Sequence, residues 1–417
     1  MPEIKPFKGL IYNPNLPIHK LVAPPYDVIS EKERDELYEL HPYNVVRLIL
    51  NRDENRYESA KNHFEKWLGD EIIIERENEA IFIYEQEFEY ESKSYLRSGI
   101  ICLLRIEEFG KGNVFPHEKT YPKPKEDRFN LLKATNAQFD HIFGIYSDPS
   151  FTIESLIAGN KPDQPLFDFE FPEKSKIRHK LYEITDREFI SAVVNFFKNI
   201  QIFIADGHHR YETGIMFRDY LRSLSVAREE HNYILMYLTN MDSEGLIILP
   251  THRVLSGIDL ENLENKLFSG VFQSFFDIFE VSIFEELKDV MKKLSKGIFG
   301  ISFGGGKIFV LKIKNYDEVK ANLPPSIPGP VQDLDVTILH EFIFNLLGIQ
   351  TEQVKITYTH DLKTALELSE EPNKIAFILN PPSVFDVKNV SLSGATMPQK
   401  STYFYPKLLS GIVMRKF

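Results

Sequence analysis

The chain has 417 residues and a formal net charge of −12, from 49 Lys and Arg against 61 Asp and Glu. That balance disfavours general nucleic-acid binding, which needs clustered cations to displace counterions. The single cysteine, Cys102, excludes an intrachain disulfide and a multi-cysteine metal site. The length predicts two domains, because single cores rarely grow past about 250–300 residues. A hydrophobic fraction of 43% with 33 Phe is enough to fill both. No apolar run of about 18 residues occurs, and Met1-Pro2-Glu3-Ile4-Lys5-Pro6 does not read as a signal peptide, so no membrane span and a cytoplasmic location are expected.

Residues 1–29 are proline-rich and end in Ala23-Pro24-Pro25-Tyr26-Asp27-Val28, which predicts an ordered, extended segment. Ser30-Glu31-Lys32-Glu33 has the form of a capping box, with a helix to about Leu40. Tyr57, Ala60, Phe64, Trp67 and Leu68 recur at helical spacing and predict a second helix from Asp53 to Leu68. The apolar runs between 71 and 108 predict antiparallel strands turning at Glu91-Ser92-Lys93-Ser94. A polar, proline-punctuated segment over 111–128 should precede a helix from about Arg128 to Ala137. Ile142–Tyr146 reads as a strand and residues 186–198 as a helix. Gln201–Ala205 reads as a short buried strand that feeds a turn, with a helix from about Tyr211 to Ser223.

A second region begins near residue 230. Tyr233–Leu238 and Gly245–Leu249 read as strands and residues 259–297 as amphipathic helix. A hairpin over 299–313 turns at Gly304-Gly305-Gly306, and Asp333–Leu347 reads as a helix. The last 45 or so residues mix strands with the polar stretch Met397–Thr402. The predicted class is α+β, or mixed α/β. The predicted division is residues 1–225, a catalytic domain with inserted elements, and residues 226–417, a C-terminal α+β domain.

One stretch concentrates reactive side chains beside a glycine: Asp206-Gly207-His208-His209-Arg210, between a strand and a helix. A helix start offers free N–H groups and the positive end of the dipole, and a glycine lets the main chain approach a ligand. Together they form an anion site. Arg210 adds a planar fork for phosphate oxygens, and His208 and His209 add donors that can also move protons. Asp206 can orient a magnesium ion or assist the nucleophile. The plainer readings are a turn capped by Asp206 with exposed histidines, or a zinc site on His208 and His209.

Three further stretches carry chemistry. His117-Glu118-Lys119-Thr120, followed by Arg128, offers Glu118 as a general base with His117, Thr120 and Arg128 around a substrate; alone it is also an ordinary polar loop. Lys400-Ser401-Thr402 resembles the end of a phosphate loop without the GxxxxGK[ST] spacing, so these residues are candidate phosphate contacts or part of a plain loop. His252-Arg253 is a candidate second anion clamp, although singly such residues are more often structural.

Asp206–Arg210 resembles the phosphate-binding turn of the ParB/sulfiredoxin-like superfamily, and His117-Glu118-Lys119-Thr120 with Arg128 and Leu132 is similar to the preceding segment of its free-serine kinases. Over nearly its whole length the chain resembles the domain of unknown function 1015 family. The marks are Ala23–Asp27, Tyr43–Arg47, His117-Glu118, Asp127-Arg128, Ala205–Arg210, Pro250–Arg253 and Met397–Thr402. The resemblance implies a ParB/sulfiredoxin-like core with an N-terminal extension. It also implies phosphoryl transfer from ATP or ADP, with Mg²⁺, to free L-serine. On that reading Glu118 is the base, Asp206 the second catalytic carboxylate and metal ligand, and Gly207, His208, His209 and Arg210 the phosphate grip. The chain departs from the family's small members in its long interval between Glu118 and Asp206 and in its C-terminal region. A homodimer is an admissible assembly.

Competing readings are a ParB-like nucleotide-dependent regulator, a phosphatase or nuclease on the same anion site, and a sulfiredoxin-like reductase. The acidic charge and the lack of a recognisable helix-turn-helix oppose the first. The last needs a cysteine beside the phosphate turn, and Cys102 lies about a hundred residues upstream in an apolar run.

Overall fold

The computed structural model describes residues 2–172, 176–281 and 283–417. The class is mixed α/β, as expected. By contact the chain divides into two compact units, Met1–Pro116 with Thr120–Ile247 and Pro406–Phe417, and His117–Lys119 with Ile248–Tyr405. The boundary expected after residue 225 falls inside the first unit. The reason is that Tyr233–Asn240 pairs antiparallel with Lys93–Arg105 and parallel with Ile142–Tyr146 in the middle of that unit's sheet.

The first unit is built on a nine-stranded mixed sheet. Its order is Val114–Phe115, Ile202–Asp206, Ile142–Tyr146, Tyr233–Asn240, Lys93–Arg105, Ile81–Tyr90, Arg178–Ile184 and Phe167–Glu170, with Ile4–Lys5 also paired to Lys93–Arg105. The long hairpin turns at Glu91-Ser92, both at positive φ (48° and 62°), inside the predicted turn. Its central strands are buried on both faces, which is why their sequences run continuously apolar. The Arg187–Phe197 helix presents Phe189, Val193 and Phe197 at i, i+4 and i+8 to this core beside Ile202 and Ile204. Asp186 caps it by accepting from the Phe189 N–H at 2.8 Å. Burying each such phenyl ring stabilises by roughly 1.5–3 kcal/mol.

The second unit holds a six-stranded antiparallel sheet. Its order is Phe276–Val281, Ile308–Ile313, Ile298–Ser302, Lys374–Ile378, His252–Ser256 and Lys355–Thr359. Leu255, Phe276, Phe299, Leu311, Phe344 and Phe377 fill its core.

Two elements depart from expectation. The helical reading of 259–297 holds for Leu260–Leu267, Gly270–Phe275 and Phe284–Leu294, but Phe276–Val281 is a strand. Its aromatic and β-branched residues suit a pleated edge, and pairing with Ile308–Ile313 decides the matter. The helix expected from Arg128 runs instead over Pro122–Thr135. Pro122 is its first residue, where a missing N–H has no consequence. Asn136 closes it in the left-handed region. Among the described residues no helix is long and apolar enough to cross a membrane.

Candidate functional site

The residues singled out from sequence fall into two groups, one in each unit. In the first unit, Asp206 ends the Ile202–Asp206 strand and Gly207 is the N-cap of the 16-residue His208–Ser223 helix. Gly207 sits at φ 91°, and a Cβ there would lie 3.1 Å from the Arg210 guanidinium. The positive φ favours glycine, and a Cβ would in addition make the Arg210 side chain give way. Asp206 is therefore not the N-cap that the plainer reading made it. Its Oδ1 accepts from the Gly207 N–H at 2.8 Å, and its Oδ2 accepts from Lys407 Nζ at 2.9 Å. Burial alone would raise the Asp206 pKa; Lys407 and Arg210 overcome it and hold the carboxyl well below the usual carboxylate range.

Lys407 is itself positioned. Its carbonyl accepts from Gln86 Nε2 at 3.0 Å, and the preceding Pro406 carbonyl accepts from the fully buried Arg97. Arg210 donates to the His141 carbonyl at 2.6 Å. Burial opposes its charge, but Asp140, Asp206 and Asp27 outweigh that and raise its pKa. Asp27 and Tyr26 come from the extended proline segment Ala23–Asp27, which the sequence alone marks as polar chemistry on a rigid stretch without assigning it to a site. The Arg128 guanidinium stacks on the Tyr26 ring at 3.9 Å and donates from Nε to Asp127 at 2.9 Å. Its Nη1 is buried with no hydrogen-bond partner. Arg128, Asp140, Arg210 and Thr213 line one cavity of about 50 Å³ beside the turn. Arg128 and Arg210, 82 positions apart in sequence (128 to 210), thus line the same cavity, a meeting that the sequence alone did not show.

The two histidines of the turn differ. His208 is buried at the helix start. His209 Nε2 accepts from the Tyr121 N–H at 3.0 Å, so a neutral ring carries its proton on Nδ1. Burial lowers the His209 pKa, against the pull of Asp27 and Glu212. His209 therefore holds the segment leading from Thr120 into the Pro122–Thr135 helix through Nε2, which does not suit the zinc site weighed as an alternative, while its Nδ1–H keeps the donor that a phosphate contact needs.

Asp206 also does not fit a resident metal. Both of its oxygens are engaged, one by an ammonium group. Among the described residues no group of three or more His, Cys, Asp and Glu side chains is placed to hold an ion.

In the second unit, two predicted stretches 285 residues apart converge. The buried His117 ring shares a 2.9 Å hydrogen bond through Nε2 with Thr402 Oγ1, which lies 3.5 Å from Glu118 Oε1. Glu118 bridges Met397 in parallel register, and the Met397 N–H donates to the His117 carbonyl at 2.8 Å. Glu118 keeps a partly exposed carboxylate, with His117 Nε2 4.0 Å away. Lys400 is exposed, at φ 54°. Ser401 corrects its assignment: it is buried and its hydroxyl donates to the Pro398 carbonyl, closing its own loop. His252 is likewise no clamp. It is buried in a strand, its Nδ1 accepts from the Leu379 N–H at 3.3 Å, and burial together with Arg253 lowers its pKa to about 3. Arg253 is buried as well and donates to the carbonyls of Thr251 and Lys400.

The thiol route fails on geometry. Cys102 is fully buried in mid-strand, and burial pushes its pKa far above the ordinary thiol range.

Lys407, Asp27 and Asp140 were not assigned from sequence. Lys407 stands 201 residues from Asp206, and no periodicity or motif links them.

A search of curated proteins found no match. Among solved structures, a free serine kinase variant in complex with ADP is 13% identical, covering 70% of this chain and 84% of that one, with a TM-score of 0.35. A conserved hypothetical protein from Pyrococcus furiosus is 14% identical over 71% and 89%, with a TM-score of 0.33. C-terminally truncated SbnI from Staphylococcus aureus is 10% identical over 74% and 85%, with a TM-score of 0.35. The model of the family described as protein of unknown function (DUF1015) matches residues 4–337. With that match spanning most of its length, the chain belongs to the DUF1015 family.

Proposed function

We propose that the chain is a phosphotransferase. It takes a phosphoryl group from ATP or ADP and passes it to a free hydroxyl amino acid, with L-serine the first acceptor to test. The observation that carries this reading is the Gly207 turn: a left-handed glycine opening a long helix, with Arg210 and the Asp206-held Lys407 beside it. Phosphoryl transfer asks mainly for positioning and charge neutralisation, which helix amides and two such cations supply. Asp206 acts as a positioning residue, fixing Lys407 and the turn. Arg128, with its unpartnered Nη1, takes an anionic group of substrate.

Glu118 is the proposed base, a role carried by the motif resemblance. It takes the hydroxyl proton as the acceptor oxygen bonds to phosphorus, and the bond from phosphorus to the departing nucleotide oxygen breaks. Mg²⁺ would enter only as the nucleotide's own counter-ion, and no step rests on it. A hydrolase would use the same grip with water as acceptor, so product identity separates the two.

The test is incubation of the full chain with L-serine and labelled ATP or ADP. O-phosphoserine should form, Glu118→Ala should slow it by about 10²-fold or more, and Arg210→Gln should mainly weaken nucleotide binding. Release of inorganic phosphate without phosphoserine would favour the hydrolase. Unchanged turnover in Glu118→Ala would remove the base assignment.

A further inference from the structure

The second unit has a cavity of its own, about 420 Å³, within the range of roughly 300–1,000 Å³ usual for small-molecule sites. It opens at one edge of the six-stranded sheet. Lys374–Ile378 runs antiparallel to both neighbours, so its end and the starts of His252–Ser256 and Ile298–Ser302 share that edge. Thr251, Arg253, Lys296, Asp335, Asn380 and Ser383 are among its walls.

Arg253 makes the cavity more than a gap. Its side chain is only 1% exposed. Its guanidinium donates to backbone carbonyls, Thr251 from Nη1 and Lys400 from Nη2 at 3.0 Å, while Nε has no partner. Among the described residues no carboxylate pairs with it. The Tyr358 ring lies 5.6 Å from it. A buried cation without a counter-ion is unfavourable, and carbonyl dipoles offset that only in part. Burial accordingly lowers its pKa to about 10.

The wall's carboxylates do not fill the gap. Asp333 pairs with Lys320, and Asp386 caps the Val384–Leu392 helix through Ser383 at 2.8 Å. Asp335 accepts from the Gly297 N–H at 3.0 Å, and burial pushes its pKa to about 7, against that hydrogen bond. Raised that far, its carboxyl can hold a proton and donate it in a hydrogen bond. Lys296, with a side chain 47% exposed and its Nζ 4.0 Å from Asp386 Oδ1, adds a second cation that this long pairing leaves able to reach a ligand.

We propose that this cavity binds a small molecule through an oxyanion, a carboxylate or a phosphate, seated on Arg253 with Lys296 as the second cation. Its ligand is distinct from whatever the Asp206 turn holds, and the site stands whether or not the kinase reading does.

The test uses the full chain at low ionic strength with two probes, inorganic phosphate followed by phosphorus NMR relaxation and carboxyl-labelled acetate followed by carbon NMR relaxation. At least one probe should relax faster with the protein. Lys296→Glu, at a half-exposed position that tolerates change, should weaken that effect about tenfold, the worth of one charge-assisted hydrogen bond. Arg253→Gln should remove it. Arg210→Gln reports the Asp206 turn separately and should leave this share of the relaxation intact. Response to phosphate alone, or to acetate alone, identifies the ligand's anionic group. Relaxation by both probes that is the same in wild type and Lys296→Glu, or absent for both, overturns the proposal.

Discussion

At the residue scale, the pair of Asp206 and Lys407 is what turns a reactive motif into an ordered one. Both side chains are mostly buried, with 19% and 13% exposed. A buried ion pair adds little net stability over apolar replacements, but removing one partner strands the other. Lys407→Met should therefore destabilise the chain by about 3–5 kcal/mol and raise the Asp206 pKa, while Asp206→Asn together with Lys407→Met should recover part of that loss. Denaturant unfolding of the two single variants and the double variant measures it. Strict additivity would mean that the two groups do not depend on one another. Little of this was legible in the sequence. The motif announced Asp206 and Arg210 because their chemistry is local. Their partners are not local: Lys407, Asp27 and Asp140 reach them only through the order of the strands. Ser401 and His252 misled for the converse reason, since polar side chains near a lysine or arginine read alike whether they meet a ligand or a backbone carbonyl.

At the scale of elements, the turn after Ile202–Asp206 depends on one backbone conformation. At φ 91° an alanine at position 207 is strained, and its Cβ would press on the Arg210 guanidinium at 3.1 Å. Gly207→Ala should lose roughly 1–3 kcal/mol of stability and displace Arg210, weakening nucleotide binding more than a surface Gly→Ala change does. Comparing it with Gly159→Ala, where a Cβ meets nothing within 4 Å, separates the two effects. Equal losses in both variants would count against the turn's importance. Elements set by local signals were legible. Ser30 and Glu33 close the capping box that opens Glu31–Leu40, with the Ser30 N–H donating to Glu33 at 2.8 Å. The strands flanking Glu91-Ser92 followed from their apolar runs. Phe276–Val281 was not legible, because a six-residue run between two amphipathic helices becomes a strand only through its partner.

At the scale of the whole molecule, burial has left several histidines neutral, and this sets how the protein meets acid. His141, His179 and His252 are 1–2% exposed. Burial, with nearby arginines adding to it, lowers the pKa of His141 and His252 to about 3 and that of His179 to about 4. His179 shows how the neutral form is held: its Nδ1 faces Tyr84 Oη at 2.7 Å and its Nε2 faces the Phe171 carbonyl at 2.8 Å. The carbonyl can only accept, so the proton sits on Nε2 and Tyr84 donates to Nδ1. Each folded pKa lies below the unfolded value of about 6.5, so between the two the unfolded chain binds more protons and stability falls with falling pH. Asp335 acts with the opposite sign: its folded pKa of about 7 exceeds the unfolded value of about 3.9, so it removes stability as pH rises through that window. Near pH 5.5 the three histidines give a slope of about 4 kcal/mol per pH unit, and Asp335 cancels about 1.4 of it. Stability from denaturant unfolding, followed from pH 6.5 to 5, should therefore drop steeply and monotonically, with a net uptake of protons on unfolding; His340, lowered by burial to about 4, adds to it. Asp335→Asn should steepen the drop, because it removes an opposing group. A flat profile across that range would show that these histidines take up protons in the folded state, and that their surroundings admit water.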